Sequence, residues 1–212
     1  EHMFFEGERR PVVQRMILAT NDADRQVALD ELLEFQREDF KGIFEVLGGR
    51  PCTVRLIDPP LHEFLPDRTD LMVEVALGKE RNENVSRQEL LLSAVDRLHE
   101  SNPMLGLRGV RLGILIPELF KMQVRALVLA SLEVKKAGFD PKPELMIPLV
   151  ATQRELLYLR ETLEEEIKKT LNYREKEREV VAFQESRNQK LLADEHKKLG
   201  ASFTDFGGWN MP

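Results

Sequence analysis

The sequence predicts an α/β protein with a parallel sheet, followed by a long charged helix and an irregular tail. β-rich runs at residues 53–57 and 145–150 are separated by stretches with helical periodicity, and this alternation is typical of βαβ units. Residues 152–199 contain many charged side chains but no glycine or proline, which predicts a long helix. The last residues, 200–212, mix glycines with scattered aromatic side chains, and we expect them to be irregular. These boundaries place the first domain at residues 1–151, before the helical extension and the tail.

Two helices of the first domain are marked by their periodicity and by the residues at their ends. Residues 22–47 place apolar side chains at three- and four-residue intervals, and a pair of glycines follows the last of them. Residues 118–137 are bracketed by a proline at the start and a glycine just past the end. Between these two helices, Ser86 followed by Glu89 is typical of a capping box, so we expect a helix to begin at Ser86.

The composition excludes several classes of protein. The chain has 212 residues, a net charge of −6 and a single cysteine, Cys52. No apolar run approaches the roughly 18 residues of a membrane span, one cysteine cannot form an internal disulfide, and an acidic chain does not favour nucleic acid. We therefore expect no membrane or nucleic-acid partner, and an intracellular, reducing location in the cytoplasm or an organelle. Because the chain begins with Glu1 rather than methionine, we also expect it to be an excerpt of a longer protein.

Two motifs and two shorter segments carry a resemblance to a known family. The motifs are RLIDPPLHEFLP at residues 55–66 and NPMLGLRGVRLG at residues 102–113, and the segments are EHMFF at the start and MIPLV at residues 146–150. Over about residues 1–165 the chain resembles pyruvate phosphate dikinase, in its phosphoenolpyruvate/pyruvate-binding barrel. The resemblance implies an incomplete TIM-type (β/α) barrel. In this family the barrel takes a phosphoryl group from a phosphohistidine domain and exchanges phosphoenolpyruvate with pyruvate.

The resemblance implies that Arg55 and Arg108 bind substrate. Phosphoenolpyruvate carries a carboxylate and a phosphate on three carbons, and a planar guanidinium can bind either group with two parallel hydrogen bonds. Barrel ligands also bind at the carboxyl ends of strands, where Arg55 lies. Judged by residue type alone, each arginine has a structural alternative: Arg55 would pair with Asp58, and Arg108 with a neighbouring acid such as Glu118.

Further residues of the second motif are candidates for substrate contact. Arg111 is either a third phosphate contact or a solvent-facing charge. Gly106 and Gly109 allow the backbone to approach a ligand around Arg108, or they simply form turns. His62 is interpreted as a structural loop histidine, because the phosphohistidine of the family belongs to a separate domain.

The sequence predicts neither a metal site nor independent catalysis. The family uses Mg²⁺, but its acidic and asparagine ligands and its proton-donating cysteine lie on later strands and loops that this sequence does not match. We also expect this chain to lack the nucleotide-binding and phosphohistidine domains of the family. We therefore expect no cofactor and no catalytic residue in this chain. By resemblance it is a phosphotransferase, but it is expected to be inactive alone, so its assignment as an enzyme stays open.

The predicted sheet needs a partner. Three or four strand-like runs are too few for the eight strands of a closed barrel, and an open parallel sheet exposes unpaired edges. We expect the rest of the barrel, a second copy or a larger assembly to cover it. The end of the charged helix, LLADEHKKLGASF, resembles the carboxyl-terminal helices of small cilia- and flagella-associated microtubule inner proteins. An alternative function is therefore a repurposed, non-catalytic structural protein of the ciliary axoneme, with tubulin or axonemal partners.

Overall fold

A computed structural model describes residues 2–99, 104, 106–173, 204–206 and 209–211. The chain divides into two compact units, Glu1–Lys168 and Lys169–Pro212. The first unit consists mainly of helices and contains one small parallel sheet. Within the described ranges, every helix is too short or too polar to cross a membrane.

The elements of the described residues are as follows. The first half contains α1 (His2–Phe5), α2 (Arg9–Leu18), α3 (Asp22–Leu47), β1 (Pro51–Arg55), a 3₁₀ helix (Leu61–Phe64), α4 (Arg68–Glu80) and α5 (Ser86–Leu98). The second half contains α6 (Gly109–Leu115), α7 (Pro117–Lys136), β2 (Lys142–Met146), α8 (residues 153–173), β3 (Thr204–Phe206) and β4 (Trp209–Met211).

Helix α3 has the bounds that its periodicity predicts. The side chain of Asn21 accepts a hydrogen bond from the Asp24 N–H at 2.8 Å, which caps the first turn. Gly48 ends the helix in the left-handed conformation, with φ of 55°, and its N–H bonds to the Phe44 carbonyl. The buried face of α3 packs against α7, and this contact forms the centre of the core. The prediction of α7 is likewise confirmed, with Pro117 at its first position.

The two strands of the first unit are parallel neighbours. Their register runs from Pro51 opposite Lys142 to Arg55 opposite Met146, and helices α4 to α7 connect them. This arrangement agrees with the predicted α/β class. The described sheet has only these two strands rather than three or four, and a partial barrel is not confirmed.

Both strands end earlier than the sequence patterns predict. β1 was expected at residues 53–57, but the Ile57 N–H leaves the sheet and bonds to the side-chain oxygen of Gln123 at 3.0 Å. β2 was expected at residues 145–150, but Pro148 has no N–H to donate, and Leu149 adopts a positive φ of 57°. The two chain segments therefore become loops on the same edge of the sheet, the edge at the carboxyl ends of the strands.

The predicted capping box at Ser86 and Glu89 is wrong. Ser86 is the first helical residue of α5, and its N–H is accepted by the Asn84 side chain at 3.0 Å. Glu89 instead forms an ion pair with Lys79 of α4 at 2.7 Å. The pattern correctly predicts that a helix begins at Ser86. Ser86 and Glu89 do not cap it together, because Asn84 accepts the Ser86 N–H and Lys79 pairs with Glu89.

A capping box does occur at the start of α8. The Glu155 carboxylate accepts the Thr152 N–H at 2.8 Å and the Ala151 N–H at 3.0 Å, while the Thr152 hydroxyl accepts the Glu155 N–H at 3.3 Å. These backbone N–H groups lower the pKa of the Glu155 carboxyl below its ordinary value, and the charge of Arg111 contributes less. The first unit thus fixes the start of the predicted charged helix.

The remainder of the charged helix and the tail are described only in part. The helix is observed over residues 153–173, and residues 174–199 of the prediction lie outside the described residues. In the tail, β3 and β4 pair in antiparallel register, with Phe206 opposite Trp209. A short hairpin therefore replaces the irregular backbone predicted for these six positions.

Replacing Gln123 with leucine is expected to destabilise the first unit. Gln123 is 4% exposed, and the substitution leaves the buried Ile57 N–H without its acceptor, at a cost of about 1 to 3 kcal/mol. Urea unfolding followed by circular dichroism measures the change. Gln153→Leu, at an exposed position, is the control; equal midpoints for both variants and the wild type would contradict the assignment.

Replacing Glu155 with glutamine is expected to remove a pH-dependent contribution to stability. Because the folded pKa of Glu155 is lowered, its contribution is fully present above the unfolded pKa of about 4.5 and is lost as pH falls through the folded pKa. Glu155→Gln should therefore be less stable than the wild type at neutral pH and equally stable in strong acid. Thermal unfolding from pH 7 to pH 2 measures the difference. Glu161→Gln, two turns further along α8, is the control, and a difference that persists in strong acid for Glu155→Gln would refute the explanation.

Candidate functional site

The loop that follows β1 is held in place at both of its ends. At its start, the Ile57 N–H bonds to Gln123 of α7, and Ile57 is 1% exposed. At its far end, the Phe64 carbonyl accepts hydrogen bonds from Gln14 at 2.9 Å and from Arg10 at 3.1 Å. The Phe64 ring also stacks on Phe5 with ring centroids 4.5 Å apart. This strand-end loop is therefore anchored to α1, α2 and α7.

Asp58 lies in this loop and joins the two sequence motifs. Its Oδ2 accepts a hydrogen bond from Arg108 Nη2 at 2.9 Å, and its Oδ1 lies 3.4 Å from Arg108 Nε. Arg55 Nη1 lies 3.7 Å from the same Oδ2. The Asp58 backbone carbonyl also accepts the Gly109 N–H at 3.2 Å. One residue thus contacts both predicted substrate arginines, although Arg108 is 50 residues away in sequence.

Gly109 permits a close approach of three chain segments. It has a positive φ of 52°, and an added Cβ would lie 2.9 Å from the Pro148 carbonyl oxygen and 3.0 Å from Asp58 Oδ1. The next residue, Val110, donates its N–H to that same Pro148 carbonyl at 2.9 Å. A side chain at position 109 is therefore excluded by both backbone conformation and space. The loops after β1 and β2 meet the start of α6 at this glycine.

Gly106 lies in the turn that precedes α6, and Arg111 lies in the first turn of that helix. The Gly106 carbonyl accepts the Arg108 N–H at 3.0 Å and the Arg111 Nη1 at 2.6 Å. Arg111 is partly buried rather than fully exposed, and its contact with phosphate stays a prediction. Its contact with the Gly106 carbonyl stabilises the backbone next to Arg108.

The arginines differ in their exposure to solvent. The Arg55 side chain is 50% exposed and the Arg108 side chain 22%, whereas the Asp58 side chain is 7% exposed. Two guanidinium groups therefore lie beside one buried carboxylate at the carboxyl end of β1. Guanidinium groups are suited to bind carboxylate and phosphate anions.

The structure shows which acidic residue pairs with each candidate arginine. Arg55 does contact Asp58, as its structural alternative predicted. Glu118 does not hold Arg108, because Glu118 pairs with Lys121 at 2.9 Å and Arg108 pairs with Asp58. The substrate contacts assigned to Arg55 and Arg108 stay predictions. The pairing of Asp58 with Arg108, 50 residues away, was missed, so the sequence did not show that one carboxylate contacts both arginines.

The described residues do not bring metal ligands together. No group of three or more histidine, cysteine, aspartate or glutamate side chains within the described ranges is arranged to hold a metal ion. His62 lies in the 3₁₀ helix after β1, with its ring centroid 6.5 Å from that of His99. Cys52 is partly buried in β1 and packs against the core. These positions agree with structural roles for both residues.

Comparison with known proteins identifies the family. A family model described as the PEP-binding domain of PEP-utilising enzymes matches residues 1–208. The chain is 45% identical over 166 residues to pyruvate, phosphate dikinase from Clostridium symbiosum, covering 78% of this chain and 18% of that protein. It is 41% identical over 215 residues to pyruvate, phosphate dikinase 2 from Oryza sativa subsp. japonica, covering 98% of this chain and 23% of that protein. A chloroplastic pyruvate, phosphate dikinase 1 from Arabidopsis thaliana is 41% identical over 216 residues, covering 98% of this chain and 21% of that protein.

The matches cover most or nearly all of this chain but only a small part of the relatives. The chain spans about a fifth of the length of these relatives. The family model continues past residue 165, where the resemblance was expected to end, and includes most of the tail. Since these relatives are all dikinases, they give no support to the microtubule-associated interpretation of the carboxyl-terminal helix. The chain belongs to the PEP-utilising enzymes, as a member of their PEP-binding domain family.

Proposed function

We propose that this chain forms part of the phosphoenolpyruvate/pyruvate-binding site of a pyruvate phosphate dikinase-type phosphotransferase. The observation that carries the proposal is the convergence of Arg55 and Arg108 on Asp58 at the carboxyl end of β1. Membership of the PEP-binding domain family supports the choice of ligand. In parallel α/β folds, ligands bind at this end of the strands, which supports the choice of place.

The chemistry of the ligand fits the two guanidinium groups. Phosphoenolpyruvate has two anionic ends a few ångströms apart, and each guanidinium can donate two parallel hydrogen bonds to a carboxylate or phosphate. Arg55 is accessible to solvent, while Arg108 is oriented by the buried Asp58. We therefore assign one anionic group of the ligand to each arginine. Arg111 and Gly106 are joined by a hydrogen bond next to Arg108, and Gly109 follows Arg108, so these three residues are candidates for further ligand contacts.

We assign binding and orientation, but not phosphoryl or proton transfer, to the residues of this chain. The family uses Mg²⁺ to compensate charge on the transferred phosphoryl group and the enolate. The described residues do not fit that ion, because they hold no suitable group of ligands. We propose that such ligands and the proton donor come from outside the described residues, and that the chain holds no cofactor and is inactive on its own.

We further propose that the two-stranded sheet is part of a larger barrel. A parallel sheet in an α/β protein is normally covered on both faces, whereas here apolar side chains near its carboxyl end are 37 to 47% exposed: Met146, Leu149, Val150, Leu156 and Leu157. The remaining strands of a dikinase barrel, on the same or another polypeptide, would cover them. The location consistent with this function is the cytoplasm or an organelle.

Truncating either arginine is expected to weaken phosphoenolpyruvate binding. Arg55→Ala and Arg108→Ala each remove charge-assisted hydrogen bonds worth about 1.5 to 3 kcal/mol, which corresponds to about 10- to 150-fold in Kd. Titration calorimetry of the 212-residue chain with phosphoenolpyruvate measures the loss.

Arg87→Ala is the matched control for these variants. Arg87 lies on the exposed surface of α5, so its removal should leave the affinity unchanged. Absence of binding by the wild-type chain, or an equal affinity in all three variants, would contradict the proposed function.

A further inference from the structure

We propose that Asp58 is a positioning residue of the substrate site, whose carboxylate holds the guanidinium of Arg108, and secondarily that of Arg55, in the orientation that binds phosphoenolpyruvate. This inference deepens the proposed function and rests on it. The two Asp58 oxygens face the Nε and Nη2 atoms of Arg108 at 3.4 and 2.9 Å. Two contacts to one edge fix the plane of a guanidinium, which a single contact would leave free to rotate.

The burial of Asp58 strengthens its control over the orientation of the Arg108 guanidinium. The Asp58 side chain is 7% exposed and Arg108 22%, so solvent has little access to compete for their hydrogen bonds. A guanidinium carries five N–H donors, and Asp58 faces only the Nε and Nη2 groups of Arg108. The carboxylate can therefore orient Arg108 without using all the donors that a substrate anion would need.

The position of Asp58 is itself fixed by backbone contacts. Its carbonyl accepts the Gly109 N–H at 3.2 Å, and the neighbouring Ile57 N–H is held by Gln123 at 3.0 Å. The Asp58 backbone is therefore held from one side by the residue that follows Arg108 and from the other by the contact between Ile57 and α7. Because the Asp58 carboxylate is held in place, it can restrict the longer and more flexible side chain of Arg108 to one orientation.

Two other roles for Asp58 make different predictions. If the pair only stabilises the fold, loss of Asp58 lowers stability but does not change how Arg108 contributes to binding. If Asp58 acts only as a nearby negative charge, its contribution to binding adds to that of Arg108 without coupling. Only a positioning role predicts that the contribution of the Arg108 guanidinium to phosphoenolpyruvate affinity depends on Asp58. A double-mutant cycle measures this dependence.

The cycle compares phosphoenolpyruvate affinity in the wild type, Asp58→Asn, Arg108→Lys and the double variant. Arg108→Lys keeps the positive charge but removes the planar fork. We expect it to weaken binding at least tenfold in the wild-type background and less than threefold in the Asp58→Asn background. An equal loss in both backgrounds would overturn the inference. The coupling is decisive, rather than the effect of Asp58→Asn alone, because removing one negative charge also increases the attraction for an anion.

Asp96→Asn is the control for loss of an aspartate–arginine pair. Asp96 of α5 bonds to Arg68 Nε of α4 at 2.6 Å, and both side chains are about half exposed. This substitution should leave phosphoenolpyruvate affinity unchanged. A similar coupling between Asp96→Asn and Arg108→Lys would show that the effect is not specific to Asp58 and would overturn the inference.

A second measurement applies even if Asp58→Asn does not fold. The Nε–H signal of Arg108 in ¹⁵N-labelled wild-type protein is assigned by its disappearance in Arg108→Lys. We expect this signal to be distinct from those of solvent-exposed arginines and to stay distinct when phosphoenolpyruvate binds. Its collapse to the position of a free arginine on binding would show that Asp58 releases Arg108 and would overturn the inference.

The two proposals fail in different ways. Additive effects in the cycle, together with large losses in Arg55→Ala and Arg108→Ala, remove the role of Asp58 and leave the substrate site intact. No binding of phosphoenolpyruvate by the wild-type chain removes the proposed function and this inference with it.

Discussion

The architecture of the site depends on the ion pair between the buried carboxylate of Asp58 and Arg108. A charge removed from water is costly unless it is paired and hydrogen-bonded, so the position of Asp58 requires a cation beside it. Arg108 meets that requirement at 2.9 Å, and Arg55 adds a second positive charge at 3.7 Å. The absence of a side chain at Gly109 lets the segments approach closely enough for this contact. Pairing Asp58 thus brings both arginines to one edge of the sheet.

Contacts from several helices hold the loops after β1 and β2 and the start of α6 in place. Gln123 of α7 holds the start of the strand-end loop, and Gln14 of α2 holds its far end. The Pro148 carbonyl in the loop after β2 accepts the N–H of Val110 in α6. Because the helices that supply these contacts are also packed into the core, movement of the site would require repacking of the first unit. A rigid site loses little conformational freedom when a ligand binds, which supports the proposed binding of phosphoenolpyruvate.

The sequence predicted the parts of the fold that depend on local signals. Helix α3 has both a repeating apolar face and a glycine at its end, so its bounds were predicted correctly. β1 and Ser86 were misjudged because Gln123 and Asn84 compete for backbone N–H groups in ways that periodicity does not report. The motifs predicted the candidate arginines. They did not reveal that Asp58 serves both, since that contact joins residues 50 positions apart and depends on tertiary packing.

A crystal structure of the 212-residue chain with bound phosphoenolpyruvate tests the central claim most directly. The account predicts that the ligand contacts the guanidinium groups of both Arg55 and Arg108, while the Asp58 carboxylate stays buried and hydrogen-bonded to Arg108. A structure in which Asp58 faces solvent, or in which the ligand binds away from the carboxyl end of β1, would contradict it.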